Sequence, residues 1–185
     1  ARAIERALED LRRLGAEVVD VQLPDMSQVL PTWPLLCAAE AADAHRATFP
    51  ARASEYGAYF REFLEMGAAV DEATLVRARA IRQEFGEQFR AVLSTVDAVL
   101  SPAAGAPFEV PPTLQYESMT AWNDERARRQ QRLGITKADT TFTFPHDLAG
   151  TPALALPCGV GPGGIPYTMQ LAGSPLREAT LCRIG

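Results

Sequence analysis

Phe142 to Arg177 reads FTFPHDLAGTPALALPCGVGPGGIPYTMQLAGSPLR, and this stretch decides the fold. Thr151-Pro-Ala-Leu-Ala-Leu is a short apolar run ended by Pro157, and Tyr167-Thr-Met-Gln-Leu-Ala is a second, ended by Gly173. Two such runs joined by Gly159, Gly161, Gly163 and Gly164 predict a β-hairpin. Glycine enters the positive-φ region at no steric cost, while Pro162 fixes one φ and removes a donor. A short polar-capped helix or turn is expected just before the first strand.

Upstream of the hairpin the apolar spacing is helical. Ala78, Ile81, Phe85, Phe89, Val92 and Val96 mark the buried seam of a long helix capped by Asp71, with Arg77, Arg79, Arg82 and Arg90 alternating with Glu84 and Glu87 as its solvated face. Asp97-Ala-Val-Leu-Ser-Pro predicts a short buried strand, after which Ser101 to Phe108 reads equally as a plain turn or as a loop facing a ligand cavity. Glu109 to Pro112 reads as extended, and 117–133 as a strongly charged helix anchored by Trp122. Nearer the start, Ile4, Leu8, Leu11 and Leu14 predict an amphipathic helix over 2–14 stopped by Gly15, followed by a strand at Val18, Val19 and Val21. Pro24 to Pro34 reads as a packed loop, Leu35 to Phe49 as a helix, and Tyr56 to Gly67 as a second helix. The aromatic stripe Tyr56, Phe60, Phe63 with Leu64 is either core or the wall of a cavity.

Composition narrows the class. A chain of 185 residues, 47% hydrophobic and 22% charged, can bury roughly 70% of its unfolded surface and is globular rather than disordered. A net charge of −5 argues against a nucleic-acid partner, whose phosphates demand cationic surface. Cys37, Cys158 and Cys182 are odd in number and widely spaced, so neither a disulfide framework nor a zinc site is indicated, and a cytoplasmic setting fits. No apolar run is long enough to span a bilayer. No cofactor motif stands out: the Gly159–Gly164 run lacks a following Gly-Lys-Ser/Thr and leads into a strand.

As a pattern, PHDLAGTPALALPCG followed by GGIPYTMQLAGSPLREATL resembles the C-terminal part of the amidase signature family. The residues that carry the likeness are Pro145, Leu148, Ala149, Gly150, Pro152, Ala153, Pro157, Cys158, Gly159, Gly164, Pro166, Gln170, Leu171, Gly173, Pro175, Glu178, Ala179 and Leu181. Asp147 stands where that family commonly has Asn, His146 at a usually apolar place, and Tyr167 and Thr168 where small residues are frequent. RALEDLRRLGAEVVDVQLP and AAEAADAH resemble further stretches of the family, whereas 117–133 matches least and reads as a variable insertion or subunit contact. The resemblance implies an α/β fold with helices packed on a mixed sheet. It implies that 1–185 is the C-terminal portion of one domain whose upstream half is its partner, with a homodimer open as an assembly. It also implies hydrolysis of a small-molecule carboxamide to acid and ammonia or amine. A non-catalytic interaction subunit related to amidotransferase A subunits is the alternative.

The family resembled uses a Ser-cisSer-Lys triad, in which a weak nucleophile is activated by an adjacent base. The Gly-Gly-Ser-Ser-Gly-Gly run that supplies it is not in this sequence, and the only lysine is Lys137. No catalytic residue is therefore assigned to this chain, which on its own is expected to be inactive. Substrate contact is the role left to it. Asp139 lies one position out of register with the acidic residue that meets the substrate's amine end in the amidotransferase A subunits, and it reads alternatively as a turn cap. Thr141 and Thr143 are the further candidates. Two competing sites are weak. Cys158, His146 and Asp147 would need the adjacent His and Asp to point the same way. His45 has no second ligand at helical spacing.

Overall fold

In the computed structural model, which describes residues 2–103, 118–134 and 139–185 apart from the side chains of Leu133, Asp139, Thr140 and Pro162, ten regular elements follow one another. They are α1 (Arg2–Arg13), α2 (Val29–Ala44), α3 (Ala58–Ala68), α4 (Glu72–Leu93), β1 (Val99–Pro102), α5 (Met119–Leu133), α6 (Phe144–Ala149), β2 (Ala153–Val160), β3 (Pro166–Ala172) and α7 (Glu178–Ile184). Short 3-10 turns lie at Ala53–Glu55, Asp139–Phe142 and Pro162–Gly164. Contacts divide the chain into two compact units, Ala1–Val29 with Arg82–Phe108 and Asp139–Gly185, and Leu30–Ile81 with Glu109–Ala138.

The first unit is built on the hairpin. Its sheet has the order β1-β3-β2, and both pairings are antiparallel, with Leu154 opposite Leu171, Ala155 opposite Gln170 and Val99 opposite Ala172. As the central strand β3 is covered on both faces, so Met169, Gln170, Leu171 and Ala172 are all buried whatever their parity. The edge strand β2 instead alternates. Leu154, Leu156 and Cys158 are half-buried, while Ala153, Ala155 and Pro157 are exposed. The covered side faces two helices: a Cβ on Gly185, at the end of α7, would lie 2.5 Å from Leu156, and one on Gly159 would lie 3.2 Å from Ala3 of α1.

Pro157 does not end β2, as the sequence suggested. The strand continues to Val160 through a register shift between Pro157 and Gly159, where a residue without an N–H is tolerated because a bulge on an edge strand needs no donor. The reversal comes at Gly163 and Gly164, with φ of 72° and 78°, closed by the Gly161 N–H donating to the Ile165 carbonyl at 2.7 Å.

The later turns of α4 supply this unit's helical core. Phe85 and Phe89 stack with ring centroids 5.5 Å apart, and Phe89 and Leu93 are fully buried; each contributes about 1.5–3 kcal/mol by leaving water. In α1, Ile4, Leu8 and Leu11 form the expected half-buried stripe, but Leu14 is 83% exposed. Val18 to Val21 form no ladder. A valine run has the right propensity, but it becomes a strand only where a second backbone meets it.

In the second unit α2 begins at Val29, inside the stretch read from sequence as a loop. Pro31 falls in its first turn, where a missing N–H costs nothing, while Pro34 lies inside the helix. Gly67 of α3 lets that helix close on α2, since a Cβ there would sit 1.9 Å from the Ala38 carbonyl oxygen. The seam is completed by Leu36, Ala38 and Leu64, all buried. Asp71 caps α4 as expected, accepting from the Thr74 N–H at 2.7 Å, which holds its carboxyl below the usual range. Ser118 caps α5 through the Ala121 N–H at 3.0 Å, and Glu62 of α3 accepts from the Met119 N–H at 2.8 Å. The expectations for residues 104–112, and for the side chain of Asp139, lie outside the described residues.

Candidate functional site

The segment that carries the substrate candidates runs through the 3-10 turn Asp139–Phe142 into α6. Pro145 sits in the first turn of α6, and Gly150 ends it in the left-handed region with φ 63°. A helix of six residues has little stability of its own, so its placement depends on what grips it. Two arginines of α4 do so at its C-terminal end: Arg90 donates to the Ala149 carbonyl at 2.9 Å, and the Arg82 Nε donates to the Leu148 carbonyl at 3.3 Å. Cations there satisfy carbonyls that have no partner within the helix and complement its negative end. The sequence reading placed both arginines on a solvated face. The structure corrects this, since each is half-buried and engaged with α6.

His146 faces the other way from its neighbour. Its imidazole is 7% exposed and meets the Phe89 ring edge to face at 5.3 Å. Among the described residues its Nδ1 has no hydrogen-bond partner. Burial pushes its pKa below 6.5, so the ring is neutral near pH 7. Asp147 is exposed on the opposite side, although the surrounding chain desolvates its carboxyl enough to raise its pKa. Cys158 is half-buried in β2, and its Sγ donates to the Tyr167 carbonyl at 3.6 Å. Neither Asp147 nor Cys158 engages Nδ1 of His146, so these three residues do not form a relay.

The third grip on the segment comes from the sheet. Gln170, 4% exposed in the middle of β3, donates from its side-chain amide to the Ser101 hydroxyl at 3.0 Å and also to the Phe142 carbonyl. Phe142 lies between two of the candidates. Thr141 is buried at 8% exposure, and Thr143 is half-buried at the start of α6, with its carbonyl receiving the His146 N–H at 3.1 Å. Asp139 is the first residue of the turn. The structure thus brings the three candidates onto one short segment, anchored by Gln170, Arg82 and Arg90. Sequence reasoning missed those anchors, although a glutamine between Met169 and Leu171 in an otherwise apolar strand was a usable signal.

In the second unit His45 is held by Tyr56, whose hydroxyl lies 3.0 Å from Nδ1 and also meets Thr48, with Phe60 edge-on at 5.2 Å. The aromatic stripe is therefore packing around a satisfied histidine. An open groove of about 960 Å³ lies elsewhere in that unit, lined by Ala39, Ala42, Phe49, Leu75, Glu40 and Arg79 among others, and none of Tyr56, Phe60, Phe63 and Leu64 lines it. Among the described residues no three His, Cys, Asp or Glu side chains gather as a metal site would require, and no helix is long and apolar enough to cross a membrane.

The fold as a whole is similar to that of a known amidase. The family model described as Amidase matches residues 1–182, and the chain belongs to that family. It is 28% identical over 183 residues to a Pseudomonas putida amidase, covering 99% of this chain and 37% of the relative. It is 32% identical over 206 residues to the glutamyl-tRNA(Gln) amidotransferase A subunit of Chloroflexus aurantiacus, covering 99% and 39%. A solved structure titled as the crystal structure of amidase superposes with a TM-score of 0.75 at 27% identity, covering all of this chain and 40% of the other. The chain therefore spans about two fifths of the length of the relatives it matches.

Proposed function

We propose that this chain is the C-terminal part of an amidase signature hydrolase, which with upstream polypeptide cleaves a carboxamide C–N bond, adding water to give a carboxylic acid and ammonia or an amine. The observation that carries this reading is the family match over residues 1–182, on a chain that spans only 37% of the Pseudomonas putida amidase's length and lacks paired serines flanked by glycines. In the mechanism its resemblance implies, an upstream serine hydroxyl attacks the amide carbonyl. Its proton passes through a second serine toward a neutral lysine, the amine departs with a proton, and water releases the acid from the acyl-enzyme. This chain contributes the wall against which the substrate is placed, through Asp139, Thr141 and Thr143 on the anchored turn. The segment 117–133 is a variable insertion in this reading, and the setting is cytoplasmic.

The test uses the full-length protein as its gene encodes it. Ammonia or amine release from a panel of simple carboxamides is expected, lost on replacing either serine of the upstream pair and unchanged in Cys158→Ala. Turnover abolished by C158A, or a gene encoding no paired serines and lysine upstream, defeats the proposal. The second reading, a non-catalytic interaction subunit related to amidotransferase A subunits, takes its relatedness from the 32% identity to one of them; it predicts no turnover by the protein alone and co-purification with other subunits.

A further inference from the structure

We infer that Gln170 is a positioning residue: from the middle of β3 its side-chain amide holds the peptide between Thr141 and Thr143 against the end of β1, and so sets where a substrate is held. The inference rests on the reading of that turn as substrate-facing. A carbonyl oxygen can only accept, so the amide nitrogen and not its oxygen must face Phe142, which fixes the orientation of the group. Both protons of that nitrogen are then used, one on the Phe142 carbonyl and one on the Ser101 hydroxyl. Ser101 in turn donates to the Pro102 carbonyl at 3.3 Å, so the chain of donors ends on the backbone of β1.

An apolar side chain would fill the centre of a covered strand without the cost of burying an amide. What the amide adds is a fixed link between the sheet and a turn that has little regular structure of its own. Because the bond lands on the residue between Thr141 and Thr143, loosening it displaces both flanking threonines together. Displacement of contacts by an ångström or so is enough to weaken productive binding.

The experiment compares wild-type full-length protein with Q170M, Q170E and S101A on a carboxamide the wild type turns over. Q170M keeps length and shape but removes both donors, and Q170E sets a carboxylate against the Phe142 carbonyl. Each is expected to raise KM about tenfold with a smaller change in kcat per folded protein. Q170E should recover part of its affinity at acid pH, where a protonated carboxyl can donate again. S101A leaves the bond to Phe142 in place but removes the second acceptor of the Gln170 amide, and should raise KM by less than Q170M does. Folded Q170M and Q170E with KM within about twofold of wild type overturn the inference. Should neither fold, Q170N decides, since its amide is one methylene shorter and cannot span to both acceptors, and a KM within about twofold of wild type overturns the inference. A wild-type protein that turns over no amide sinks the functional reading as well, whereas turnover with unaltered KM in the variants sinks this inference alone.

Discussion

Below about pH 6.5 an unfolded chain takes up protons on its histidines, and the folded chain cannot follow at His146. Its ring lies against Phe89 with Nδ1 unpartnered among the described residues, and burial lowers its pKa from 6.5. The folded state therefore binds fewer protons than the unfolded one between 6.5 and that lower value. The stability owed to the neutral ring is complete above 6.5 and is lost as the pH falls through the folded pKa. Asp147 acts in the opposite sense and lower on the scale, because its raised pKa lets the folded state keep a proton and gain stability as the pH falls. His146→Leu is expected to reduce the loss in urea midpoint between about pH 7.5 and about pH 5, with Asp147→Asn as the control. A variant that loses as much as wild type over that interval refutes the assignment. The reading of His146 and Asp147 as pointing apart was available from their adjacency alone. That one would be buried without a partner was not, because it depends on Phe89, far away in sequence.

Among the elements, α6 is the one held most by others and least by itself. Arg90 spans from α4 to the Ala149 carbonyl at 2.9 Å, and its loss leaves a helix-end acceptor without that donor. Arg90→Leu is expected to cost about 1.5–3 kcal/mol, the scale of a charged hydrogen bond, with Arg82→Leu costing less because its bond is longer and Nε-based. Negligible losses in chemical denaturation would show the two bonds to be idle, and equal ones would refute the ranking. The elements legible in the sequence were those whose signals are local: the hairpin with its glycines, the Asp71 cap, the seam of α4 and the charged α5. The illegible ones depended on distant partners. Val18 to Val21 have no neighbouring strand among the described residues. The start of α2 was masked by Pro31, which a first helical turn accepts. Arg82 and Arg90 look like any solvated charge until α6 is seen beside them.

For the whole molecule, the segment that carries the candidates was legible in the sequence, but what holds it was not. Thr141 and Thr143 were read as further polar candidates beside Asp139, while the bond from Gln170 to Phe142 that joins their segment to the sheet spans 28 positions and leaves no local trace. The described sheet also has two strands, β1 and β2, with a neighbour on one side only. Strand backbones with an open side, together with exposed Val160, Ile165 and Leu176, predict that these 185 residues produced by themselves will bind ANS or aggregate. A cooperative, monomeric unfolding transition without dye binding would contradict that.

The open flank of β2 bears Ala153, Ala155 and Pro157 on its uncovered face, side chains short enough to admit another backbone closely. On the proposed hydrolase reading this edge offers a split reporter: two separately translated pieces, each fused to one member of an interacting pair, would release ammonia only when brought together.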